Sequence, residues 1–179
     1  MTVSQDGLYP NRGGSLQTIS RQLVDSSVSA ITFPDIPQTF TNLRLIISGS
    51  VDQGTTLEIV FNANGDAGEN YNDQTFVIAG SGTIAAGHGS QIAGILGVIT
   101  GTGSGSNASG SIDVVFYNYV AAQYTNWIAM CSADNSGIPN TQITSGFWAN
   151  PESITSLTAS PVSGGTFSAG TIATLYGLQ

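Results

Sequence analysis

The sequence predicts an all-β protein, an antiparallel sandwich or barrel, and three observations predict it. Apolar residues recur at every second position through several short runs, as on a strand with one face in a core. These runs are rich in Val, Ile, Thr and aromatic residues, and a glycine or proline turn separates them about every 8 to 12 residues. No run carries a convincing helical period.

The first 27 residues, MTVSQDGLYPNRGGSLQTISRQLVDSS, are polar and punctuated by Pro10, Gly13 and Gly14. Within them SLQTISRQLV roughly aligns Leu16, Ile19 and Leu23 and fits one short helical or extended piece. Residues 1–27 read as an N-terminal arm that gains order by docking onto something else, or as a disordered leader. Residues 28–179 read as the sandwich domain. VSAITF leads into PDIPQTF, where Pro34 and Pro37 forbid a central strand and predict a turn. NLRLIIS alternates, with Leu43, Leu45 and Ile47 on one face; TTLEIVFN does the same with Leu57, Ile59 and Phe61. Between 79 and 110, QIAGILGVIT fits a strand, and GTGSGSNASG a flexible turn or tip. SIDVVFYNYV turns Ile112, Val114 and Phe116 inward, and YTNWIAMC, QITSGFWA, SITSLTA and TIATLYG complete the set.

The outward positions of these strands are less polar than a water-facing sheet requires. Ile46 shares a face with Arg44, Val60 with Glu58, and Val115 and Tyr117 follow Asp113. A partly apolar second face is expected to be a subunit interface.

Composition narrows the function. Of 179 residues, 40% are apolar but only 8% are charged, against about a quarter in an average globular protein. There is no lysine; Arg12, Arg21 and Arg44 face eight Asp and three Glu, for a net charge of −8. A nucleic-acid binder needs cations to neutralise phosphates, and an anionic membrane surface attracts basic segments, so both partners are disfavoured. The charges of residues 1–27 cancel, which leaves the whole deficit beyond them. One cysteine, Cys131, rules out an internal disulfide and sits in the apolar run NWIAMC, where a buried, inert thiol is expected. No N-terminal stretch joins basic residues to an apolar core, and no segment has about 18 uninterrupted apolar residues, so neither a secretory leader nor a membrane helix is expected.

Chemistry is sparse. FNANGDAGENY, residues 61–71, crowds Asn62, Asn64, Asp66, Glu69 and Asn70 around two glycines. An EF-hand loop places glycine sixth and glutamate twelfth, and no register here does so. Asp66 and Glu69 on one loop meet either glycosidase carboxyl spacing, which makes that signal nearly empty. Asn64-Gly65 is a favoured turn pair, and the turn is the better reading. His88, the only histidine, lies in GHGS and reads as an exposed loop residue; a dyad with Cys131 lacks any supporting motif. CxxC, HExxH, GxSxG and P-loop patterns are missing from the sequence. Trp127 and Trp148 read as core or interface aromatics rather than a carbohydrate site. A lectin-like module would expose aromatics at loop tips, for which Tyr71, Tyr119 and Tyr124 are the candidates. The expectation is a non-enzyme with no catalytic, cofactor-binding or metal-binding residues.

The ordered phrases together resemble a family of tailed-bacteriophage structural proteins. ITFPDIPQTFTNLRLIIS is similar to the opening of that family's β-domain, an I-x-F-x-x-I-P phrase followed by a leucine strand. FNANGDAGENY resembles its Asn-Gly-Asp turn, SIDVVFYNYV its long strand ending in Tyr, GFWANPESITSLTA its G-x-W phrase, and GGTFSAGTIATLYGLQ its terminal F-x-x-G-S-x-x-x-L-Y-G, with Thr171 where serine is usual. The likeness runs from about Ala30 to the C-terminus. It implies an antiparallel jelly-roll-like β-sandwich preceded by an extended N-terminal arm, forming a homotrimer on the outer surface of a virion assembled in the host cytoplasm. The implied role is capsid decoration (cement), with the major capsid protein as partner. The alternative is a tail fibre or baseplate-associated module whose partners are other tail proteins or a host surface receptor. The resemblance implies no catalytic residues, cofactor or metal, makes FNANGDAGENY a structural bend anchored by Asn70 and Tyr71, and has the neutral arm reaching across a shell while the acidic body stands outward.

Overall fold

The computed structural model describes residues 16–79 and 83–179, with side chains described outside 79–90. Twelve strands form: β1 (Gln17–Leu23), β2 (Ile31–Phe33), β3 (Asn42–Val51), β4 (Leu57–Ala63), β5 (Tyr71–Ala79), β6 (Thr83–Gln91), β7 (Gly94–Gly101), β8 (Gly110–Tyr117), β9 (Thr125–Asn135), β10 (Ile138–Trp148), β11 (Leu157–Pro161) and β12 (Ile172–Leu178). One 3-10 turn, Thr102–Ser104, is the sole helical element among the described residues.

The strands make two layers. The larger is an antiparallel sheet in the order β1-β12-β3-β8-β9-β10-β5-β6, and the smaller has the order β2-β11-β4-β7. A short parallel seam, Ser50 with Thr100 and Val51 with Gly101, joins β3 to β7 at one end. The protein is thus an all-β, sandwich-like fold. A jelly roll is built from eight strands in two sheets; here the layers hold eight and four, and β8-β9-β10 is a plain meander. The finer jelly-roll expectation is carried by the resemblance alone.

Alternation in the sequence becomes alternation in space. Leu43, Leu45 and Ile47 of β3 stand opposite Phe116, Val114 and Ile112 of β8, and all six are buried between the layers. The small sheet contributes Ile59, Phe61 and Ala63 from β4 and Leu157 and Ala159 from β11. Phe61 is the centre of this core: its ring meets Tyr71, Phe116 and Trp127 edge-on, at centroid distances of 5.5, 4.9 and 4.9 Å. Edge-on contacts between such rings add to what their burial contributes, about 1.5–3 kcal/mol for each fully buried large side chain.

Three sequence expectations change. The arm is, from Gln17 onward, an edge strand: β1 pairs with β12 through a bulge between Thr18 and Ser20, taking the extended rather than the helical form. What it docks onto is its own chain, because Val24 is buried in the core, Ile19 packs against it, and Gln22 Nε2 donates to the Thr32 carbonyl at 2.6 Å. Residues 1–15 lie outside the described residues. QIAGILGVIT is broken at Ile92 and Ala93, since β6 ends in the large sheet and β7 begins in the small one. β7 lacks alternation because seven of its eight residues are buried. His88 falls within β6, opposite Gln74, not in a loop; its side chain lies outside the described residues.

Candidate functional site on the outer sheet face

FNANGDAGENY is the densest polar cluster and folds as a bend. Asn64 and Gly65 both take positive φ (54° and 69°), and the Asp66 N–H donates to the Ala63 carbonyl at 2.9 Å, the geometry of a type I′ turn. The strands it joins do not pair with each other; the turn carries the chain from the small sheet to the large one. The Asn64 side chain ties it to the segment before β11, accepting from Thr155 N (2.8 Å) and Ser156 N (3.1 Å) and donating to the Ser153 carbonyl (2.8 Å).

Asp66 holds the other side of the bend. Its carboxylate accepts from Gly68 N (2.8 Å), Asn70 Nδ2 (2.8 Å) and the Trp148 indole N–H (2.7 Å). Partial burial works to raise its pKa, but the hydrogen bonds from Gly68, Trp148, Asn70 and Asn150 prevail and hold it below the ordinary carboxylate value. Tyr71, buried and pushed up to about 12 by desolvation, receives Ala63 N–H and donates to the Asp66 carbonyl at 3.1 Å. A general acid or base needs its carboxyl directed at a substrate, and the oxygens of Asp66 are directed at its own chain. Glu69 lies on the exposed side of the same loop. Among the described residues no cluster of three or more His, Cys, Asp or Glu is placed to hold a metal ion.

The remaining sequence candidates are placed as follows. Trp127 and Trp148 are buried, the first donating its indole N–H to the Ile95 carbonyl at 3.1 Å. Cys131 is buried and free, and desolvation raises its pKa, which leaves the thiol protonated and inert. Tyr71 and Tyr119 are buried, the latter bonded to the Pro37 carbonyl, so neither presents a ring at a loop tip. Tyr124 does: it is 51% exposed and lies parallel to Phe147 at a centroid distance of 6.0 Å.

What the structure brings together instead is the outer face of the large sheet. The register sets Asp113, Met130, Ile143 and Phe76 in one row across β8, β9, β10 and β5, with Val115, Ile128, Ser145 and Gln74 in the next. Met130 is 56% exposed and Ile128 49%; Ile143, Phe76, Ile78, Tyr117 and Phe147 also stand out to solvent. Sequence reading found Val115, Tyr117 and Ile46 on this face. It missed the centre, although Trp127 inward makes Ile128 and Met130 outward by simple alternation. Val60, the fourth residue named, lies half-buried on the small sheet instead. Between Tyr117 and Phe147 the face dips into a shallow groove of about 510 Å³, with Asn72, Asn126 and Ser145 among its walls.

Charge on this face is balanced. Arg44 Nε donates to Asp113 Oδ1 at 2.8 Å, a second bond joins the same pair, and that hydrogen bonding raises the guanidinium pKa further. Both groups are well exposed, so the pair adds little stability. Arg21 stands on the same face of β1, and Asp134 at the β9-β10 hairpin accepts from Gly137 N at 2.6 Å. Two carboxylates are disposed otherwise. Asp73 faces the interior, 5% exposed, where it accepts from Ile95 N at 3.1 Å; burial raises its pKa, and burial followed by the charge of Asp73 raises that of Glu58.

No protein-family model matches the chain, and no curated protein matches it. Among the described residues no helix is long and apolar enough to cross a membrane.

Proposed function

We propose that this chain is a non-enzymatic structural protein of a tailed-bacteriophage virion, a capsid decoration (cement) protein that bridges and stabilises capsid subunits. The observation that carries the proposal is the broad apolar outer face, on a molecule whose most elaborate polar cluster serves to fix a bend. Contiguous apolar surface of this kind marks a contact between macromolecules. The resemblance of its ordered phrases to those of phage structural proteins supplies the setting, and with it the homotrimer and the major capsid protein as partners. Low charge and the lack of lysine suit a protein that packs against neighbours, while the acidic remainder limits association between particles.

A second reading is a tail or fibre module that touches a host surface. It draws on the groove beside Phe147, lined by Tyr117 and the amides of Asn72, Gln74 and Asn126 with Asp73 among its walls, and on the exposed Tyr124 that stacks on Phe147.

The deciding experiment is location. Gold-labelled antibody on intact particles from the source is expected to spread over the shell. Label confined to the tail favours the second reading, and unlabelled particles, with recognition of the native protein verified, overturn both.

A further inference from the structure

We infer that the outer face of the large sheet is covered by further copies of this same chain, with Ile128, Met130, Ile143 and Phe76 at the centre of the contact. The inference deepens the packing role proposed above by naming the face and its occupant.

Three features point to a second copy. The first is charge. The chain carries −8, so most surfaces of two copies repel; the face that bears Arg21 and Arg44 against Asp113 and Asp134 is balanced. Arg44 is already paired with Asp113 and needs no charged group from a partner, while Arg21 on the edge strand β1 and Asp134 at the β9-β10 hairpin lie at the rim of the face, where water remains. The second is area. The seven neighbouring strands β1, β12, β3, β8, β9, β10 and β5, at about 4.8 Å spacing and over about seven residues of about 3.3 Å each, offer a flat footprint on the order of 780 Å². That is close to the roughly 800 Å² per partner of a stable interface. The third is shape. Ile128, Met130, Ile143 and Phe76 stand in neighbouring rows on a pleated face, and such rows interdigitate with apolar rows of a neighbouring copy as those of packed sheets do.

The test uses the purified full chain in sedimentation velocity, from low micromolar to near-millimolar concentration. The expected result is a mass above the 18.3 kDa of one chain. The double variant Met130→Lys with Ile143→Lys changes only outward side chains and should run as a folded single chain, with the circular dichroism of the parent. Val60→Lys, on the small sheet, should leave assembly intact. A single-chain mass for the parent at every concentration, or an assembled double variant, overturns the inference. A measurement on the unaltered chain stands beside these should the double variant misfold. Met130 is exposed in the single chain, so peroxide should convert it to the sulfoxide readily at high dilution and at least several-fold more slowly in the assembled protein. Equal oxidation rates in both, with mass still elevated, place the contact on another face and overturn the inference. These readouts need no particles, so they can fail while shell labelling succeeds, and the reverse.

Discussion

At the scale of single residues, Asp66 decides more than its exposed position in the sequence implies. Asp66→Ala removes the acceptor of a buried indole N–H and of two further donors. Leaving the Trp148 donor unpaired, together with loss of charged hydrogen bonds, should lower unfolding free energy by about 2–3 kcal/mol in urea titrations, with Asp66→Asn losing less because one acceptor oxygen remains. The pH dependence follows in sign. The folded pKa of Asp66 is depressed, so its contribution is present above the unfolded carboxylate value of about 4 and is lost as pH falls through the lower folded value. The gap between parent and Asp66→Ala should therefore be full at neutral pH and close in acid; a gap that stays constant down to acid-unfolding pH contradicts this. Asp73 and Glu58 act in the opposite sense. Their folded pKa values are raised by burial, so what they contribute is present below about pH 4 and lost as pH rises through those raised values.

At the scale of elements, close strand packing around Trp127 depends on two glycines. A Cβ on Gly146 of β10 would stand 2.5 Å from the Asn72 carbonyl oxygen and 2.6 Å from the Trp127 ring, and one on Gly94 of β7 would strike Phe61 at 2.3 Å. Backbone cannot yield as a side-chain tip does, so Gly146→Ala should cost about 1–3 kcal/mol by overpacking, read as a lowered thermal midpoint. A midpoint unchanged from the parent would mean that the ring and the β5 backbone move freely. These glycines also show what the sequence could tell. Period-two runs were legible because each strand has one face in the core, and Leu43, Leu45, Ile47, Ile112, Val114 and Phe116 were placed from that alone. The asymmetry of the two layers was not, because strand partners are set by contacts far apart in the chain, such as β12 between β1 and β3. β1 was ambiguous because an edge strand buries few side chains and carries a weak pattern. Of the outer face, its apolar character was legible and its centre was not: Ile128, Ile143 and Phe76 come together only through the register of β9, β10 and β5.

At the scale of the whole molecule, an apolar face must be reconciled with an acidic body. Eleven carboxylates against three arginines make any two copies repel at long range, while the charges on the face proposed as their contact are balanced. In the proposed contact, attraction comes from burial of Ile128, Met130, Ile143 and Phe76, about 25 cal/mol for each Å² of apolar surface removed from water, and the net charge of the chain acts against it. Added salt shortens the screening length from about 10 Å at 0.1 M to about 3 Å at 1 M, which weakens the repulsion and leaves the apolar contact in place. Self-association should therefore tighten as sodium chloride rises across that range, with the dissociation constant from sedimentation falling at least several-fold. An interface built on ion pairs has the opposite response, and its Kd would rise with salt. The Arg44→Gln variant separates the two accounts further. Removing that cation leaves the face with excess negative charge from Asp113, so assembly should weaken in dilute buffer and recover in concentrated salt. If Arg44→Gln instead abolishes assembly at every salt concentration, the ion pair rather than the apolar rows holds the copies together.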